Sequence, residues 1–114
     1  WIMKKTKLGE FEELVLLTVA ALQKDAYGVE IRRELEALLK TTLSVGAIQS
    51  ALKRMEDKGF LTSEFGEPTQ VRGGKRKRIY STTSYGRKVL SEMKDIRATL
   101  WSSIPTLAHE LKVI

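Results

Sequence analysis

From Leu8 onward the apolar residues Phe11, Leu14, Val15, Ala21 and Leu22, with Thr18 among them, recur at the three- and four-residue steps of a helix. Leu16, Leu17 and Val19 make the second half of that helix apolar nearly all round, and such a helix must be covered on every side. Two readings follow: it is the centre of the core, or part of its surface, through Leu14 and Leu17, is a contact between subunits. The pattern breaks at Gln23-Lys24-Asp25-Ala26, where Asp25 is placed to cap a second helix by accepting from its first backbone N–H groups. That helix runs to about Lys40, with Tyr27, Ile31, Leu35, Leu38 and Leu39 inward and Glu30, Arg33, Glu34 and Ala37 outward. Thr41-Thr42-Leu43 is a tight turn, and Ser44 caps a third helix from about Val45 to Lys58. Its inward residues are Ile48, Ala51, Leu52 and Met55, which leaves Ala47, Gln49, Ser50, Lys53, Arg54 and Asp57 outside. Gly59 follows where a left-handed helix stop favours glycine.

Phe60 to Phe65 reads as a strand, and a loop with Gly66, Pro68, Gly73 and Gly74 leads to a second strand, Lys77 to Thr83, so the pair predicts a hairpin. Thr83 or Ser84 then caps a long last helix with the stripe Val89, Leu90, Met93, Ile96, Leu100, Trp101 and Ile104, which Pro105 interrupts. With no partner left for that stripe within the fold, Val89, Met93, Ile96, Leu100 and Trp101 are assigned to a dimer contact. Leu107, Leu111 and Ile114 keep only weak amphipathic spacing in the tail. The expected fold is mainly α with a small β-hairpin wing (α+β). It is a winged helix-turn-helix over residues 1–83, followed over 84–114 by a C-terminal dimerisation helix and tail, folded as one unit.

A chain of 114 residues suits one domain, and 42% hydrophobic with 30% charged residues suits a folded one. The 20 Lys and Arg against 14 Asp and Glu give +6, and the distribution sharpens this. Leu8 to Leu43 carries seven acids and four bases, whereas Ser44 to Lys88 carries ten bases and four acids. Five of those bases fall within Arg72-Gly73-Gly74-Lys75-Arg76-Lys77-Arg78, at the hairpin tip. Basicity concentrated on one helix and one hairpin points to nucleic acid.

Other chemistries lose their footing. Without cysteine there are no disulfides, thiolate metal sites or thiol nucleophiles. The sole histidine, His109, has only Glu110 beside it, which assembles neither a triad nor a metal site. Gly73-Gly74 lies in a hairpin tip and not between strand and helix, so it is no phosphate loop. No enzyme activity, cofactor or metal is expected. The longest apolar run, Leu14 to Leu22, is far short of the ~20 residues of a membrane span. Trp1-Ile2-Met3-Lys4-Lys5 does not resemble a signal peptide, so the expected location is cytoplasmic, with no membrane partner.

Helix, helix, tight turn, helix and basic hairpin is an order that suits duplex DNA. The major groove, about 12 Å wide, admits one helix whose exposed residues meet base edges. Ser44, Gln49, Ser50, Lys53 and Arg54 are the candidates there, with Arg72, Gly73, Gly74, Lys75, Arg76, Lys77 and Arg78 on phosphates or in the minor groove. A winged-helix module that binds only proteins is the competing expectation, and it predicts a neutral or acidic helix and wing. Here both are basic.

From Leu8 to about Trp101 the chain resembles the PadR-like transcriptional regulators. The likeness rests on Leu8-Gly9 and the apolar first helix, Tyr27-Gly28-Val29-Glu30-Ile31, and Gly46-Ala47-Ile48 through Leu52-Lys53-Arg54-Met55-Glu56 to Gly59-Phe60-Leu61. Gly73-Gly74, Lys77-Arg78, Tyr80, Thr83 and Gly86 complete it. It resembles the shorter branch, with one C-terminal dimerisation helix. The resemblance implies a homodimeric repressor with the third helix in the major groove and the wing beside it, often relieved by a small effector. Some members hold flat aromatic effectors at the dimer interface, which makes Trp101 a candidate stacking surface beside its plainer role as a packing anchor. The chain departs from the family in having Gln49 where tyrosine is usual, and Ile79-Tyr80 where two tyrosines are usual.

Overall fold

Residues 8–66 and 77–105 are described by the computed structural model of the chain. Helix α1, Glu10–Leu22, starts behind Gly9, whose N–H donates to the Glu12 carboxylate at 3.1 Å while its C=O accepts from Glu13 N at 2.9 Å. Glu10, Glu12 and Glu13 in the first turn suit the positive end of the helix dipole. Val15, Leu16, Thr18 and Val19 are buried, and the Thr18 hydroxyl donates to the Leu14 C=O at 2.7 Å, which satisfies it in the core. Leu14 packs partly buried against the core and Leu17 stays exposed, so α1 is a central helix with little apolar surface to spare.

The second helix begins later than its sequence predicts. Gln23–Asp25 form a single 3₁₀ turn, and α2 spans Gly28–Leu39 with Tyr27, not Asp25, at its N-cap. The hairpin is the reason. Tyr27 forms an antiparallel bridge with Ile79, and Tyr80 N donates to Ala26 C=O at 3.0 Å, which holds the chain extended until Gly28. Ile31 and Leu35 are buried as expected, whereas Leu38, 67% exposed, and Leu39 are not. The last turn of α2 runs past the edge of the core before Lys40, at φ +55°, closes it.

Helix α3, Val45–Asp57, follows its pattern closely. Ser44 Oγ accepts from Ala47 N at 3.0 Å, and Ile48, Ala51, Leu52 and Met55 are all buried. At its end Gly59, at φ +84°, donates to Glu56 C=O and Phe60 N donates to Met55 C=O, a pair of closing bonds that turns Phe60 into the core. Strands β1, Leu61–Phe65, and β2, Arg78–Thr82, pair antiparallel with Leu61 opposite Thr82 and Phe65 opposite Arg78.

Helix α4, Ser84–Ser102, is capped by Thr83 and not Ser84: Thr83 Oγ1 accepts from Gly86 N at 2.9 Å and donates to Gly59 C=O at 2.6 Å. Gly86 lies against the Phe60 backbone, where a Cβ would come within 2.2 Å of the carbonyl oxygen. Val89 and Met93, assigned by pattern to a subunit contact, are instead buried in the core of their own protomer. The first turns of α4 are already covered by α1 and β2, and the stripe becomes exposed only at Ile96, Leu100, Trp101 and Ile104. Among the described residues no helix is long and apolar enough to cross a membrane.

Candidate nucleic-acid interface

Gln49, Ser50, Lys53 and Arg54 all lie on the exposed side of α3, because the opposite side is fixed by Ile48, Ala51, Leu52 and Met55. Their situations differ. The Ser44 hydroxyl is occupied as the cap of α3. Lys53 Nζ is 3.6 Å from Asp57, an exposed pair of the kind that contributes little and gives way readily to a phosphate.

Arg54 is held from below. Its Nε donates to Glu12 Oε2 at 2.7 Å, and Lys58 Nζ donates to Glu12 Oε1 at 3.2 Å, so one α1 carboxylate grips two successive turns of α3. Burial acts to raise the Glu12 pKa, but hydrogen bonds from Arg54, the Gly9 N–H and Lys58, with the Lys58 charge, outweigh it and hold the group below its ordinary value. Arg54 thus anchors α3 on α1 as well as facing outward. Sequence reasoning missed Glu12, since among three acids in a first turn nothing marks the one that is buried.

The loop end of the strand pair is also tied down. Arg78 lies over the Phe65 ring at 4.5 Å, and its Nη1 donates to Ser63 Oγ at 2.8 Å, which in turn donates to Glu56 Oε2 at 2.6 Å. This chain of contacts joins β2 to β1 and β1 to α3. Lys77 Nζ sits 5.4 Å from the centre of the Tyr27 ring. Arg72, Gly73, Gly74, Lys75 and Arg76 lie outside the described residues. Tyr80 is buried, as its place in the strand suggests, and burial above all raises its phenol pKa, with Arg78 opposing and Glu56 adding.

A cleft of about 300 Å³ brings the parts together. Tyr27, Gly28 and Val29 from the start of α2, Gln49 from α3, and Lys77, Arg78 and Tyr80 from the hairpin line it. Gln49 on the exposed face of α3 and the loop end of β2 therefore open to the same cleft.

A second groove, of about 660 Å³, runs between α1 and α4 and is lined by Glu13, Leu17, Leu90, Ser91, Lys94, Arg97 and Ala98. Arg97 spans the two helices, with Nη2 2.6 Å and Nε 3.3 Å from the two Glu13 carboxylate oxygens, and this contact raises the Arg97 pKa further. Trp101 lies outside this lining, half exposed beside Leu100. Among the described residues no three His, Cys, Asp or Glu side chains are grouped to hold a metal.

The family model of the PadR-like transcriptional regulators matches residues 16–92. No curated protein matches the chain. Among solved structures, the fold is similar to that of a PadR-like transcription factor from Bacteroides fragilis, with TM-score 0.69 at 19% identity over 90% of this chain and 91% of that one. A PadR family transcriptional regulator from Eggerthella lenta DSM 2243 is 27% identical over 83% of this chain and 80% of its own, with TM-score 0.61. A PadR family transcription regulator from Clostridium difficile R20291 is 28% identical over 90% and 98%, with TM-score 0.56.

Proposed function

Because the chain belongs to the PadR-like family of transcriptional regulators, we propose that it is a repressor that binds operator DNA as a homodimer, with α3 in the major groove and the hairpin alongside. The observation that carries this reading is the shared cleft. Gln49 and the hairpin bases Lys77 and Arg78 line one opening, so a duplex lying along α3 meets both. Gln49, Ser50 and Lys53 face base edges or flanking phosphates, and the Arg72-to-Arg78 segment supplies sequence-independent grip.

The dimer half of the proposal rests on α4. Ile96, Leu100 and Trp101, with Ile104 just past the helix end, form an exposed apolar row on α4, whose earlier turns are already packed. A row of that kind is costly to leave in water and suits a second copy related by a two-fold axis. Relief of repression by a flat aromatic effector stacking on Trp101 belongs to the same reading, supported by the half-exposed indole.

Binding of random duplex DNA across a salt series tests the core of this. A DNA binder loses affinity steeply, with a log–log slope near −0.9 for each phosphate contacted. A flat response would overturn the proposal in favour of a winged-helix module that binds only protein.

A further inference from the structure

Gly28 is the first residue of α2 and lines the cleft beside Gln49. A Cβ built on Gly28 would lie 2.9 Å from Gln49 Nε2, closer than side-chain atoms ordinarily approach. The Gly28 backbone does not itself require glycine. Among the described glycines only Gly59 takes a positive φ, so alanine fits the Gly28 backbone without strain. The atom it would meet is the far end of a flexible side chain, so the Gln49 tip is what gives way.

We propose that Gly28 is a specificity-positioning residue: the missing side chain at the start of α2 makes the room in which the Gln49 carboxamide lies, and so sets where that carboxamide meets a base edge. The inference rests on the DNA-binding reading above and deepens it. A glutamine carboxamide recognises a base by paired hydrogen bonds, which need both its place and its tilt to be right. Gln49 has several rotatable bonds and stands on an exposed helix face, so it needs a wall to confine it. The α2 backbone at Gly28 is that wall, and a methyl group there displaces the carboxamide toward the open cleft.

The test selects duplexes from a random-sequence library with the full chain and with Gly28→Ala, Gln49→Ala and the double variant, then sequences the bound fraction. Gly28→Ala is expected to weaken base preference roughly tenfold at the positions that Gln49→Ala also affects. It should leave affinity for random duplex within about twofold, since phosphate contacts are untouched. In the Gln49→Ala background it should be silent. Its melting temperature should not fall, and the Gln49 side-chain amide pair should shift in a proton–nitrogen correlation spectrum. Wild-type preference in Gly28→Ala, an additive effect in the double variant, or a large drop in melting temperature would each overturn the inference while leaving DNA binding intact. If the unaltered chain enriches no sequence and its binding is flat with salt, the functional reading has failed and this inference goes with it.

Discussion

Replacing Glu12 with glutamine keeps the side chain's volume and one oxygen that can accept from the Gly9 N–H, but removes the charge that Arg54 and Lys58 share and turns the other acceptor oxygen into an NH2 donor. The carboxylate side chain is 9% exposed, while its partners are 52% and 38% exposed. A hydrogen bond to a charged group contributes about 1.5–3 kcal/mol. Water at the cationic ends discounts each contact, so the expected loss for the two together is about 2 kcal/mol. For a domain of this size that lowers the melting temperature by roughly 8 °C. The effect has a pH signature. The folded-state pKa of Glu12 lies below its ordinary 4.5, so its contribution is whole above that value and is lost as pH falls through the folded pKa. The gap between the two proteins is therefore widest near neutrality and closes in acid. Thermal unfolding by circular dichroism from pH 7 to pH 3, at one protein concentration, measures both. Equal melting at pH 7, or a gap that persists undiminished in acid, would refute the reasoning.

Gly86→Ala forces a Cβ against the Phe60 carbonyl at 2.2 Å, where neither partner is a flexible side chain. The expected cost is about 3 kcal/mol, read as a lower urea midpoint with unchanged slope. Lys77→Ala should weaken binding to all duplexes alike and reduce the salt slope by about one unit, without altering sequence preference in a selection experiment. Leu100→Glu places a charge in the exposed row of α4 and should give monomers in sedimentation velocity at concentrations where the unaltered chain is dimeric.

What the chain declares locally and what it leaves to tertiary contacts separate cleanly. Ser44, Gly59 and Thr83 act through bonds within a few residues or through backbone preference, and each stands where its residue type predicts. The buried row of α3 is equally legible, since its apolar residues recur on a single face. Asp25 fails as a cap because a bridge from Ile79, more than fifty residues on, fixes Tyr27 first. Val89 and Met93 fail as subunit contacts for a related reason: periodicity identifies an apolar face but not what covers it. Leu38 belongs to the α2 stripe by spacing, yet the core ends before it. Within the candidate interface, the outward set of α3 is readable because it is the complement of the inward one. The Glu12 grip and the proximity of Gly28 to Gln49 join segments distant in sequence and leave no trace in spacing.

A hairpin of two five-residue strands is marginal in water by itself. Here β2 is stitched, near its loop end, to the entrance of α2 by the Tyr27–Ile79 bridge and the bond from Tyr80 N to Ala26 C=O. The five paired residues of each strand therefore have their direction relative to α2 settled during folding, and ordering them adds no cost when a partner docks. A partner that docks on the cleft beside Gln49 meets strands whose direction is already set.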